Sequence, residues 1–151
     1  MDSSILTIIT FLPIVGVLVM AFINRENHSA IKYTAWIVTF VDFLLSLYIY
    51  FNFDSTTDKF QFVYDVTWIK ALGINYSVGI DGISLWLIIL TTFLGWLAIW
   101  SSWTAIKDRL RGYMISLLIL QTGMLGVFVS MDLFMFYVFW EVMLIPMYFL
   151  I

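Results

Sequence analysis

The sequence has 151 residues, of which 63% are hydrophobic and only 11% are charged, and its formal net charge is −3. A soluble domain carries about 25% charged residues, so this composition excludes a soluble protein and predicts one that is integral to the lipid bilayer. The acidic balance excludes nucleic acid as a partner, because nucleic-acid binding needs a basic surface. The chain has no cysteine and one histidine, His28. It therefore cannot hold a disulfide, a thiolate metal site or a cysteine-ligated iron–sulfur cluster, and we expect no metal or cofactor within it.

Five stretches are long and apolar enough to cross a hydrocarbon layer about 30 Å thick. They predict an all-α integral membrane protein with spans at residues 5–23, 33–51, 83–100, 113–129 and 133–151. The chain is too short for several domains, so residues 1–151 form a single membrane domain.

The polar segment between the second and third spans has the two-residue periodicity of β-strands. Aromatic and aliphatic side chains alternate with others through residues 60–69, and a second alternating run follows the link 70–73. This pattern predicts a β-hairpin at residues 60–80. A lone hairpin is only marginally stable in water, so we expect it to pack on the membrane helices or on a neighbouring subunit.

The positive charges are distributed unevenly among the four connections. Two lie in the first connection and three in the third, whereas the long second connection sets two lysines against four aspartates and the fourth has none. The positive-inside rule therefore predicts that the first and third connections are cytoplasmic. The N-terminus and the hairpin would lie outside, in a multi-pass protein of the bacterial inner (cell) membrane.

The fifth span carries one carboxylate, Glu141, in the middle of an otherwise apolar segment. For a helix that starts at Leu133, Glu141 lies about 12 Å along the axis, close to the bilayer midplane. An ionised side chain at that depth must face protein, water or a counter-charge, or else become protonated. Two interpretations follow: part of an ion or proton pathway, or a protonated acid that hydrogen-bonds a neighbouring helix.

No Lys, Arg or His within the predicted spans can pair with Glu141. The apolar helix also closes at Ile151 without a polar cap. Both observations lead us to expect that the chain is truncated at its C-terminus and that the missing part supplies the partner of Glu141.

A second carboxylate, Asp42, stands at the centre of the second span. Thr39, Asp42 and Ser46 fall on one helical face at i, i+3 and i+7. The acid either belongs to a proton or water path or is neutral and hydrogen-bonded to those hydroxyls. In the fourth span, the small residues Gly123 and Gly126 favour close helix packing rather than a ligand site.

Three segments together resemble the antiporter-like subunits of proton-pumping NADH:quinone oxidoreductase, respiratory complex I. They are FYVFWEVMLIPMYFLI around Glu141, YSVGIDGISLWLIILTTFLGWLAIWSSW at the hairpin exit and third span, and VFVSMDLFMFYVFWE between the fourth and fifth spans. The resemblance is sharpest to the subunit M, or chain 4, family. It covers nearly the whole chain, more loosely in the first fifty residues.

The resemblance implies a proton-translocating subunit that couples electron transfer from NADH to quinone to proton movement. Members of the family contain inverted repeats of roughly five helices each, so this N-terminal fragment would hold three leading helices and two helices of the first repeat. Glu141 matches the family's proton-transferring acid, and the lysines that act with it would lie beyond Ile151. The chain would have no redox centre and would assemble with other membrane subunits of complex I, while NADH, FMN, iron–sulfur clusters and quinone bind partner subunits.

Four residues are candidates to support Glu141. Tyr137 and Tyr148 lie near its helical face and could hydrogen-bond it directly or through water. Pro146 lacks an N–H, so the carbonyl of the residue four positions earlier loses its helical partner. That carbonyl either holds ordered water or marks only a packing kink. Asp42 is the fourth candidate, and we expect it to matter less than Glu141.

Two other interpretations fit the same residues. A subunit of a multisubunit cation/proton antiporter or of a membrane-bound hydrogenase would share the glutamate helix. A truncated membrane segment without transport activity would share the composition.

Overall fold

A computed structural model describes residues 4–151 of the chain. Its helices are α1 (Ile5–Phe22), α2 (His28–Phe51), α3 (Gly82–Ser101), α4 (Leu110–Val129) and α5 (Leu133–Leu150), and its strands are β1 (Gln61–Ile69) and β2 (Ile74–Ile80). All five helices are long and apolar enough to cross a membrane. The predicted architecture of five spanning helices with a hairpin between the second and third is confirmed.

The helices extend beyond the apolar windows where a polar residue caps their first turn. Helix α2 begins at His28, five residues before the predicted span, because the side chain of Asn27 accepts a hydrogen bond from Ala30 N at 3.3 Å. Helix α3 follows Asp81, which accepts from Ser84 N at 2.8 Å. Hydrophobicity thus locates the part that crosses the membrane, whereas capping residues decide where each helix begins.

Helix α4 is the centre of the bundle and packs against all four other helices. Two glycines allow the close approach of α5. A Cβ on Gly123 would lie 3.0 Å from Met143 Cα, and a Cβ on Gly126 would run into the ring of Phe139. The prediction that these small residues serve helix packing is confirmed.

The hairpin packs on the membrane helices of its own chain, the first of the two predicted alternatives. Strand β2 is mostly buried and β1 mostly exposed, so β2 forms the contact. The hydroxyls of Thr7 and Tyr76 hydrogen-bond at 2.8 Å and tie β2 to α1. Burial raises the pKa of the Tyr76 phenol above its ordinary value. On the other side of the strand, Met131 N donates to Ser77 O at 2.9 Å.

The connections alternate between the two ends of the bundle. At one end, Arg111 Nη1 donates to the Ile23 carbonyl at 3.2 Å, which joins the start of α4 to the end of α1. At the other end, Val78 of the hairpin pairs with Ser130 between α4 and α5. The first and third connections therefore share one end, and the hairpin and the fourth connection share the other.

A layer of buried polar side chains separates two apolar clusters along the bundle. One cluster lies towards the hairpin and includes Ile49, Leu85 and Leu125, and the other lies towards the first and third connections and includes Ala35 and Leu118. Between them on α2, α3 and α4 lies what we call the polar layer: Thr39, Asp42, Ser46, Thr91, Thr92, Gln121 and Thr122.

Candidate functional site in the membrane helices

Asp42 lies at the centre of the polar layer and is fully buried. Its Oδ2 accepts a hydrogen bond of 2.6 Å from Gln121 Nε2 on α4. Gly95 on α3 leaves the room that this amide needs, because a Cβ there would collide with the Gln121 carboxamide. Three helices therefore position one acid–amide pair.

Of the two interpretations of Asp42, the one in which Thr39 and Ser46 hydrogen-bond the acid is wrong. Thr39 Oγ1 donates instead to the backbone carbonyls of Ala35 and Trp36, at 2.8 and 3.0 Å. Ser46 Oγ donates to Phe43 O at 2.6 Å. A hydroxyl on a helix bonds readily to the carbonyl three or four residues earlier, so hydroxyls on the same face as an acid can satisfy themselves locally.

One further hydrogen bond of the polar layer joins two helices. Thr92 Oγ1 on α3 donates to Ser46 Oγ on α2 at 2.9 Å. The second oxygen of Asp42, Oδ1, is buried and has no hydrogen-bond partner among residues 4–151. With one hydrogen bond and no cation beside it in this part of the chain, the carboxyl group is better accommodated as the neutral acid.

A cleft of ≈ 180 Å³ opens beside this pair between α2, α3 and α4. Its wall includes Thr39, Thr91 and Gln121, and the rest of its lining is largely apolar. The amide of Gln121 thus stands between the buried acid and a space that reaches the side of the bundle.

Glu141 has a different environment on α5. The buried face of this helix comprises Met135, Phe139 and Pro146. Glu141 follows Phe139 by two residues, which places it on nearly the opposite face at about 100° per residue. Its side chain is exposed on the outward surface of the bundle.

Of the two predicted tyrosines, one contacts the acid. Tyr137 lies one turn before Glu141, and its hydroxyl interacts with the carboxylate. Tyr148 is on the same outward surface and 78% exposed, and its ring contacts Phe149 at a centroid distance of 5.6 Å. Together the three side chains form a polar stripe on a surface that is otherwise apolar.

Pro146 is buried towards the bundle, and α5 continues through it without a break. It is about 140° around the helix from Glu141. The carbonyl that it frees, that of Val142, therefore belongs to the inner part of the helix, away from the outward acid.

The structure does not bring Asp42 and Glu141 together: one is inside the bundle and the other is on its outer surface. Sequence reasoning missed Gln121 and Gly95 as parts of the Asp42 environment. An amide in the middle of an apolar span was the available signal, since such a group needs a partner when it is buried.

The structure defines a polytopic integral membrane protein with polar groups at mid-depth. It has five spanning helices, a buried polar layer and an intramembrane carboxylate on the outward face of one helix.

No protein-family model matches the chain. It is 43% identical to NADH-quinone oxidoreductase subunit M of Rhodobacter capsulatus over an alignment of 153 positions, which covers 99% of this chain and 29% of that protein. It is 40% identical over 139 residues to NADH-ubiquinone oxidoreductase chain 4 of Arabidopsis thaliana, covering 92% of this chain and 28% of that one.

The fold also matches a chain in the structure of the membrane-bound sulfane sulfur reductase, an archaeal respiratory membrane complex. That match has a TM-score of 0.78 at 18% identity and covers 94% of this chain and 22% of the other. Over nearly its whole length, the chain is therefore similar to NADH-quinone oxidoreductase subunit M and its chain 4 counterparts, as its motifs predicted. It spans less than a third of the length of the relatives named above.

Proposed function

We propose that this chain is part of a proton-translocating membrane subunit of NADH:quinone oxidoreductase, in which electron transfer from NADH to quinone drives proton movement through Glu141. The observation that carries the proposal is the 43% identity to a subunit M over 99% of the chain. NADH, FMN, the iron–sulfur clusters and quinone would bind partner subunits, and the other membrane subunits of the complex would be the direct partners.

The position of Glu141 supports its role. A carboxylate at mid-depth on an outward, apolar surface is strongly disfavoured against lipid, so in the membrane this surface must meet protein or water. A cation brought to the surface would favour the ionised acid, and its withdrawal would favour proton uptake. Tyr137 would hold the carboxylate in place and offer a hydroxyl for the first proton step.

The test is Glu141→Gln in the complete subunit within its complex, reconstituted into vesicles. Glutamine keeps the size and the capacity for hydrogen bonding but removes the exchangeable proton, so the complex should assemble with its full subunit content. Proton pumping, and with it tightly coupled quinone reduction, should fall greatly. Glu141→Asp keeps the charge and should be milder. Normal pumping per electron in an intact Gln complex would show that Glu141 only joins helices.

A second candidate is a related antiporter-like subunit of another membrane complex. The fold match to a chain of the sulfane sulfur reductase complex favours this alternative. The subunits that co-purify in mild detergent separate the two: flavin and iron–sulfur subunits that oxidise NADH support the first, and their replacement by a different redox module supports the second.

The orientation proposed for the membrane is N-terminus and hairpin outside, in a bacterial inner membrane. It is supported by the surplus of Lys and Arg in the two connections that lie at one end of the bundle. Single cysteines in place of Thr57 and Thr104 report on opposite ends of this cysteine-free chain. An impermeant maleimide should label position 57 in intact cells and leave position 104 unlabelled. The reverse pattern would invert the orientation.

A further inference from the structure

The end of the bundle formed by the first and third connections contains a basic pocket of ≈ 530 Å³. Seven residues line this basic pocket: Arg25, His28, Arg109, Leu110, Arg111, Gly112 and Ile115. They come from both connections and from the first turns of α2 and α4.

The described residues, 4–151, do not neutralise the cations of the basic pocket. Among residues 4–151, the side chains of Arg25, His28 and Arg109 have neither an ion pair nor a hydrogen bond. Arg111 donates Nη1 to the Ile23 carbonyl, where it caps the end of α1 and keeps its other donors free. The two acids of these connections, Glu26 and Asp108, do not line the pocket.

The start of α4 adds to this positive character. Its first residue, Leu110, and the next two follow Arg109, whose side chain makes no capping hydrogen bond. The N–H groups of a first helical turn have no partner within the helix and, with the helix dipole, favour an anion. Tyr113 N is the first to find a helical acceptor, Arg109 O at 3.0 Å.

The remaining wall of the pocket is apolar and continues into the membrane. Leu110 and Ile115 lie on the membrane-spanning part of α4. A ligand that fills the site therefore needs a compact anion beside the arginines and a hydrocarbon portion along the helix. Arginine pairs well with phosphate because its planar fork matches two phosphate oxygens.

We propose that the basic pocket binds the phosphate group of an anionic phospholipid, with Arg25, Arg109 and Arg111 around the phosphate and the acyl chains along α4. The lipid would join the first and third connections at the membrane surface and neutralise charges that lie close together there. A soluble phosphate ion shares the headgroup chemistry but not the acyl chains, and this difference separates the two ligands.

A single cysteine at Gly112 reports on occupancy. Nothing lies within 4 Å of a Cβ built there, so the substitution fits. The complete protein with its native partners is placed in nanodiscs of phosphatidylcholine, with or without phosphatidylglycerol, and the maleimide labelling rate of this chain is measured. A cysteine at Thr104, exposed in the same connection and outside the pocket, serves as the control. It corrects for the lower surface pH that anionic lipid creates at any interfacial thiol.

Phosphatidylglycerol should slow labelling at position 112 relative to position 104 on the order of tenfold. The double variant Arg25→Gln, Arg109→Gln should return that ratio to near one. Lys107→Gln, which removes one charge from the same connection outside the pocket, should keep the protection.

Three outcomes would overturn the proposal. Equal slowing at positions 112 and 104 would mean a general surface effect. Protection that survives the double arginine variant would mean that these arginines hold no headgroup. Full protection by inorganic phosphate in phosphatidylcholine nanodiscs would assign the pocket to a soluble anion instead of a lipid.

Discussion

Asp42 and Glu141 are the two carboxyl groups within the membrane helices, and the fold treats them in opposite ways. Asp42 is fully buried, and Gln121 from another helix of the same chain satisfies one of its oxygens. Glu141 lies on the outward surface of α5, with Tyr137 one turn away. Both are single acids in apolar spans, so the difference comes from which face of each helix meets α4.

The two acids differ in whether the bundle itself supplies a hydrogen-bond partner that accounts for their position. The bond to Gln121 accounts for the presence of Asp42 inside the bundle, because a buried amide and acid stabilise each other's burial. Nothing among residues 4–151 covers Glu141 in the same way, and a bilayer cannot solvate it. The acid whose environment depends on contacts outside this bundle is therefore the better candidate for proton transfer.

The largest expected effect tests this ranking directly. Asp42→Asn keeps an oxygen that accepts from Gln121, so the complex should retain most of its pumping, whereas Glu141→Gln should lose it. The measurement is proton uptake per electron in reconstituted vesicles for both variants, prepared side by side. A loss at Asp42→Asn as severe as at Glu141→Gln would place the proton path through the polar layer and reverse the comparison.

The matched variant Asp42→Leu separates structure from chemistry at the same position. Leucine leaves the buried amide of Gln121 without its partner, at a cost of about 1–3 kcal/mol. Thermal unfolding in detergent should show this loss for Leu but not for Asn. Equal stability of both variants would mean that the Asp42–Gln121 bond does not contribute to the fold.

The interface that turns Glu141 outward gives the next largest effect. In Gly126→Ala, the added methyl group would meet the buried ring of Phe139 and push α5 away from α4. Overpacking of this kind costs about 1–3 kcal/mol. Gly82→Ala is the control, since a Cβ there meets nothing within 4 Å. The unfolding temperature should therefore fall for Gly126→Ala only. Equal unfolding temperatures of the two variants would show that the α4–α5 contact can relax.

The sequence predicted those features that depend on local periodicity and hydrophobicity. The five spans, the hairpin and the helix-packing role of Gly123 and Gly126 all follow from spacing along the chain. The partner of Asp42 did not, because Thr39 and Ser46 are near in sequence whereas Gln121 is 79 residues away. The outward position of Glu141 depends on which face of α5 packs on α4, and a helix apolar on every side carries no periodic signal for that choice.

The smallest expected effect concerns Asp81, a carboxylate at the membrane boundary. Unlike Asp42 and Glu141, it has a backbone N–H as its hydrogen-bond partner. Its side chain caps α3 by accepting from Ser84 N at 2.8 Å, and this bond to the backbone lowers its pKa below the ordinary value of 3.8. Because the folded pKa is depressed, the stabilisation is present above the ordinary pKa and is lost as pH falls through the folded value. Asp81→Ala should cost about 1 kcal/mol at neutral pH.

Asp81→Asn supplies the matched control, because its amide oxygen can still cap the helix while it cannot titrate. The difference in unfolding temperature between the wild type and this variant should shrink as the pH is lowered below about 4, where the wild-type carboxylate becomes protonated. If the Asp81→Asn difference stays constant over that range, the stabilisation by the cap does not depend on the charge of the acid.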